Sequence, residues 1–170
     1  VERTYARMNA LAPVKYVDIS FNPVPDCDTL LDCSITVSRG RLNSISAEVE
    51  GTYSAGDWGV AAGLTYSNKN IFRGAEVLSL GARASYEWRA NGGRAIEAKA
   101  EAGLTFPTQV KLNVAYNYQQ RPEEYTRTIA NAGLSYTVPH KAGSKWSHQF
   151  NLIDVNYIYL PWISDRFKSD

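Results

Sequence analysis

At 170 residues the chain is long enough for one ordinary domain. A net charge of +1 and a mean hydropathy of −0.33 give no bulk reason to expect nucleic acid or an acidic substrate as partner. No apolar run approaches the roughly 18 residues of a membrane helix, which excludes a helical membrane protein but not a membrane barrel, whose alternation hides its hydrophobicity from averaged scales.

Nothing at Val1 reads as a signal peptide, so a secretion signal is expected to have been removed or to lie outside this stretch. Glu2 to Ala12 reads as a helix, with Tyr5, Met8 and Leu11 at spacing three and Pro13 ending the run. Val14 to Phe21 reads as a strand, broken by Asn22-Pro-Val-Pro-Asp26. Leu31 to Val37 resumes one, with Leu31, Cys33, Ile35 and Val37 on a common face. A helix and two strands are too small to bury a core alone, so this piece reads as the tail of a larger α/β module. Cys27 and Cys33 lie six apart across an expected hairpin; the spacing allows a disulfide and an oxidising compartment, with two free thiols as the other reading.

From Asn43 the pattern is one of strict alternation. Ile45, Ala47, Val49, Gly51 and Tyr53 oppose Ser46, Glu48, Glu50, Thr52 and Ser54. Ala55-Gly56-Asp57 turns the chain into Trp58 to Ser67, and a further strand runs from Leu78 to Trp88. Asn91-Gly-Gly93 leads into Arg94 to Phe106, where every even position from Ile96 is apolar and every odd one is charged, small or polar. No helix could use that pattern, because residues three and four apart would mix both classes on one face. Val110 to Gln119 follows, and Thr128 to Val138 and Phe150 to Leu160 give two less regular strands. About seven strands of roughly 8 to 11 residues match the length that crosses a tilted barrel wall.

Three features favour lipid over a soluble core. Aromatic residues such as Tyr53, Trp58, Tyr86, Trp88, Tyr116 and Tyr157 read as strand-end girdles. The apolar faces are Ala, Val and Leu without a charged intruder, and the opposite faces carry Glu48, Glu50, Arg83, Glu87, Glu97, Lys99, Glu101 and Lys111, as a wet lumen would. The expected fold is therefore mainly β: antiparallel strands forming part of a transmembrane outer-membrane β-barrel, preceded by an α/β piece. Seven strands cannot close a single-chain bacterial barrel, so further strands are expected outside this stretch.

Three segments resemble one family, the BamA/TamA superfamily of outer-membrane barrels with periplasmic POTRA domains. Asn70-Ile-Phe-Arg-Gly-Ala-Glu-Val-Leu78 is similar to its Asn-x-Phe-x-Gly-x-Glu segment between the second and third barrel strands. Tyr118-Gln-Gln-Arg-Pro-Glu-Glu-Tyr-Thr-Arg127 resembles its Tyr-Gln-x-Arg-Pro-x-Tyr-x-Arg segment with one extra residue. Asn151-Leu-Ile-Asp-Val-Asn-Tyr157 resembles Asn-Pro-Ile-x-x-Asn-Tyr, with Leu152 where proline is common. The likeness is nearest to the TamA-like branch and its lipoprotein variant, TamL. It implies residues 1–40 as the C-terminal half of a POTRA-like periplasmic domain and residues 41–170 as the first strands of the barrel. The family's longer connection after Phe-Pro points to residues absent between Pro107 and Thr108, and its Arg-Gly-aromatic lumen loop is not in this stretch.

The resemblance implies no enzyme and no cofactor. It implies insertion of barrel proteins into the outer membrane of a diderm bacterium, or export of polypeptide, with outer-membrane lipid, substrate polypeptides and periplasmic assembly partners as the contacts. The lateral-seam first strand falls on Ile45, Ala47, Val49, Gly51 and Tyr53, where a substrate strand would add by β-augmentation. A passive diffusion porin or structural barrel shares the patterning and is the alternative. A barrel hydrolase is the remote one: His140 and His148 flank Lys141-Ala-Gly-Ser144 without an acidic orienter, and a nucleophile needs a base in reach. Arg121 and Arg127 with Glu123 and Glu124 read as an extracellular ion-pair network, and the mixed signs leave no basic stripe for nucleic acid.

Overall fold

The computed structural model describes residues 1–25, 27–54, 56–122, 124–139 and 146–165. Helix α1 spans Glu2–Asn9 and stops before the expected Ala12. The residue before a proline is pushed out of the helical region, and the chain instead makes two tight turns, Leu11 N–H to Met8 O at 3.2 Å and Val14 N–H to Leu11 O at 3.0 Å. Strands β1 (Val14–Val24) and β2 (Cys27–Arg39) form a two-stranded antiparallel sheet against which α1 rests. Val17 on β1 is the one described side chain that is fully enclosed, 1% exposed.

The proline-rich break expected at Asn22 comes later, because β1 continues to Val24. Pro23 is tolerated since both strands of a two-stranded sheet are edges and need not donate every N–H. The ladder jumps there: Pro23 faces Leu31 while Val24 faces Cys27. The Cys27 side chain, and with it the expected Cys27–Cys33 pairing, lies outside the described residues. Cys33 faces Phe21, three ladder positions from the partner of Cys27. Cys33 is free and exposed.

The remainder is a seven-stranded antiparallel meander in simple sequence order: β3 (Asn43–Ser54), β4 (Asp57–Asn68), β5 (Val77–Trp88), β6 (Arg94–Thr105), β7 (Val110–Arg121), β8 (Tyr125–Pro139) and β9 (Ser147–Ile163). Both outer strands have one unpaired side, so the sheet is not closed. Period-two alternation keeps each face largely uniform from β3 to β7, and the pattern loosens on β8 and β9, where Ile129 and Ile158 stand in the row of Glu48, Arg83 and Lys99. One lateral row reads Ile45, Tyr66, Leu80, Ala102, Val114, Ala132, Val155. The next row up on the other face reads Ser46, Thr65, Gly81, Glu101, Ala115, Asn131, Asn156.

The rows also expose a stagger. Asn43 begins β3 two residues before Ile45, whereas Ser147 begins β9 eight residues before Val155 in the same row. A steady drift of strand ends across the rows is what strand tilt in a curved sheet requires. Strand β9 runs well beyond the expected Phe150–Leu160, and two register breaks on the β8–β9 ladder fall at Thr126/Thr128 and Leu134/Ser135. Leu152 and Pro161 both lie on β9 within those breaks, where a residue without a ladder partner is accommodated and a missing N–H costs nothing.

Neither face of the meander is covered. Among the described residues the buried apolar ones are Val17, Ala61 and Ala95 alone, while Val49 is 89% and Ile45 72% exposed. The aromatic side chains are less confined to strand ends than expected. Tyr53, Trp58 and Trp88 do form a terminal row, with Tyr53 and Trp58 rings 4.7 Å apart. Tyr116 and Tyr157 instead fall mid-ladder, in the row of Ala47.

The free state of Cys33 is checkable: a water-soluble maleimide is expected to label it at full stoichiometry without reductant. Labelling that appears only after reduction would contradict the free thiol.

Candidate functional site: the open edge of the sheet

In an antiparallel pair, residues directly opposite one another alternate between pairs that exchange both backbone hydrogen bonds and pairs that exchange none. Lys69 N–H donates to Leu42 O at 2.8 Å across the β3–β4 ladder, and these two residues sit directly opposite, one step below Asn43 and Asn68. The even-numbered residues of β3 therefore bond to β4. The odd-numbered residues, Asn43, Ile45, Ala47, Val49, Gly51 and Tyr53, turn their N–H and C=O to the open side. These include all five residues assigned to the seam from sequence. The same residues place their side chains on the apolar face, since in-plane and out-of-plane directions alternate together. Asn43 joins them at the lower end, where its Oδ1 accepts from Asn68 Nδ2 at 2.6 Å and Tyr66 OH at 3.0 Å. Gly51 leaves open space where a side chain would stand.

The polar face of β3 to β7 is mixed in sign. Arg83 pairs with Glu50 at 2.5 Å and Lys99 with Glu101 at 2.7 Å, both with exposed side chains, and Asn117 donates to Glu97 at 2.7 Å. Glycine makes room for these side chains to lie flat. A Cβ on Gly81 would stand 2.9 Å from Cγ of Glu101, closer than real Cβ contacts allow. Exposed pairs of this kind are worth about 0–1 kcal/mol each, so they mark a surface made for water more than a source of stability.

At the opposite end from Asn43, two connections meet. Arg89, after β5, bonds Glu124 between β7 and β8 at 2.5 Å, and Arg121 reaches the same carboxylate at 3.4 Å. Arg127 donates to Gln119 at 2.8 Å and stacks over the Tyr125 ring at 5.5 Å. The sequence reading named Arg121, Arg127 and Glu124 as an ion-pair network but missed Arg89. Its partner lies 35 residues on, a distance that only the hairpin register closes. The hydrogen bond from Arg89 holds the Glu124 carboxyl below the usual carboxylate range, against a smaller opposing effect of partial burial. The same bond raises the Arg89 guanidinium. Glu123 and His140 lie outside the described residues.

The chain matches no protein-family model, no curated protein and no solved structure. The geometry of the edge therefore carries the functional argument.

Because the folded pKa of Glu124 is depressed, its contribution is present above the unfolded carboxylate pKa and is lost as pH falls through the folded value. Glu124→Gln is expected to lower unfolding stability by about 1 kcal/mol at neutral pH. The difference from the parent should vanish on acidification below the carboxylate range. A difference independent of pH, followed by urea titration in detergent, would contradict the assigned bond.

Proposed function

We propose that β3 to β9 form part of a transmembrane outer-membrane β-barrel that inserts barrel proteins or exports polypeptide through a lateral seam. On this reading residues 1–40 are the periplasmic tail of a POTRA-like domain, and the apolar face meets outer-membrane lipid while the polar face lines a wet lumen. The observation that carries the proposal is the free side of β3. Six residues there offer backbone donors and acceptors beside an apolar face, and an open strand edge cannot rest unpaired in hydrocarbon. On this reading a further strand of the barrel covers that edge at rest, and an extended segment of a client polypeptide can take its place by strand addition.

Other features support the reading. Strand stagger, a mainly apolar outer surface and a charged inner one are the marks of a membrane barrel. Strands β3 and β9 run in the same direction, so antiparallel closure needs an odd number of further strands between them. The family resemblance of Asn70–Leu78, Tyr118–Arg127 and Asn151–Tyr157 favours an assembly or translocation barrel over a passive porin. The work is done by main-chain groups, so no reactive side chain and no cofactor is called for.

The alternation on β3 gives a direct test in the full-length protein. Val49→Pro removes an N–H that points to the open side and leaves the β3–β4 ladder intact. Glu48→Pro removes one that belongs to the ladder. Val49→Pro is expected to keep the folded state and to slow assembly of a client barrel in proteoliposomes about tenfold, the worth of roughly one hydrogen bond. Glu48→Pro should lose the folded state. Unchanged client assembly in the Val49→Pro protein would sink the seam and leave the porin reading.

A further inference from the structure

We propose that the basic rim at the foot of β3 binds the anionic headgroups of glycerophospholipids in the leaflet on that side. The inference rests on the membrane-barrel reading and adds a lipid class and a place to it.

The apolar rows of the meander begin on β3 and β4 with Ile45 and Tyr66, and the hydrogen-bonded pair Asn43–Asn68 marks where they stop. Immediately beyond lie Arg41 and Lys69, both exposed, held together by the bond from Lys69 N–H to Leu42 O. The connection between β4 and β5 comes next. It is a tight knot in which Ala75 N–H donates to Asn70 Oδ1 at 2.9 Å and Ile71 N–H to Glu76 O at 3.4 Å. Arg73 and Ala75 are held there at φ 68° and 66°, in the left-handed region that non-glycine residues rarely occupy. The knot presents Phe72, 66% exposed, next to Arg73. Arg73 and Arg39 line one shared cleft of about 500 Å³ between the knot and the end of β2. Lys15 lies beside Gly40 at the same place, its Cβ 3.8 Å from where a Gly40 Cβ would be.

Five cationic residues, Lys15, Arg39, Arg41, Lys69 and Arg73, thus gather at this end of β3 and β4, where Phe72 is exposed. None of the five has an ion-pair partner among the described residues. The carboxylate in the knot, Glu76, is engaged by Gly74 N–H at 2.9 Å. Charge complementarity selects an anionic occupant, and position selects a lipid: the cluster stands at the boundary of an apolar face. There a long basic side chain lays its stem along hydrocarbon and its head among phosphates, and an aromatic ring settles at headgroup level. Each basic residue near an anionic surface adds attraction that falls off within a Debye length. The leaflet is the one on the side of α1, β1 and β2, so headgroup phosphates would gather at the foot of the unpaired edge.

Phe72→Trp places a reporter in the cluster of the full-length protein, reconstituted in phosphatidylcholine vesicles containing a minor share of phosphatidylglycerol. Either lipid is supplied brominated high on the acyl chain. The added emission, taken as the difference from the parent, is expected to sense brominated phosphatidylglycerol about fivefold more strongly than brominated phosphatidylcholine at equal mole fraction. That is the factor one basic side chain contributes near an anionic surface. Raising salt from about 50 mM to about 500 mM should bring the ratio to one, as should R39Q/R41Q/K69Q/R73Q. A ratio of one at low salt, or one unmoved by both salt and the charge substitutions, overturns the inference. Trp58 and Trp88, on the apolar face, separate the two levels of the argument. If their emission is quenched while the ratio sensed by the introduced reporter stays at one, the headgroup site alone fails. If no brominated lipid quenches them, the barrel reading fails and the inference with it.

Discussion

Every backbone N–H and C=O of a sheet needs a partner, and a one-residue slip in pairing carries each side chain to the opposite face. The architecture of this chain follows from these two demands. From Asn43 onward the ladders hold one register well enough to keep apolar and charged residues largely on opposite faces from β3 to β7, and the separation loosens on β8 and β9, where Ile129 and Ile158 join the row of Glu48, Arg83 and Lys99. The consequence is a sheet whose two faces want different surroundings. One is a field of exposed Ile, Val, Leu and aromatic side chains, and the other a water-compatible surface of ion pairs and amides. At about 25 cal/mol per Å² of apolar surface removed from water, covering the first face is where the stabilisation of this sheet must come from. On the proposed membrane reading lipid would supply that cover, and the alternation of β6 shows the two-faced arrangement most plainly.

The same backbone accounting fixes the position of the open edges. Inner strands spend both sides on neighbours; β3 and β9 each keep one side free. On β3 the free donors and acceptors belong to residues whose side chains face the apolar surface, so a strand added there extends both faces in register. On the proposed function the edge would act through its main chain, and the side chains beside it would determine which surroundings an added strand must suit. The basic knot at the foot of the edge and the Arg89–Glu124 contact at its far end bracket the sheet with charge.

Much of this was legible in the sequence because a period of two is a local property. Strands β3 to β7 were readable from alternation, and their turns from Ala55-Gly56 and Asn91-Gly-Gly93. What depends on non-local pairing was not. The ion pair of Arg89 with Glu124 needs the hairpin register to bring its partners together, and the jump in the β1–β2 ladder between Pro23 and Val24 leaves no mark in the spacing of residues. The strands read as less regular, Thr128 to Val138 and Phe150 to Leu160, are those whose ladder is interrupted, but the pattern could not say that each break is an extra residue on β9 or that the strand continues to Ile163. Helix α1 was overextended because spacing of apolar residues outlasts the point at which Pro13 forces the backbone to turn.

The central claim is that the two faces of the meander meet different solvents, and β6 tests it most directly. Spin labels placed singly from Ala98 to Ala102 in a cysteine-free, full-length protein in bilayers would be scored for collision with oxygen, which concentrates in lipid, and with a water-soluble nickel chelate. Oxygen access is predicted to peak at Ala98, Ala100 and Ala102, and nickel access at Lys99 and Glu101, in antiphase with period two. Nickel access that is high and even along all five positions would contradict the account and return β3 to β9 to the class of soluble sheets.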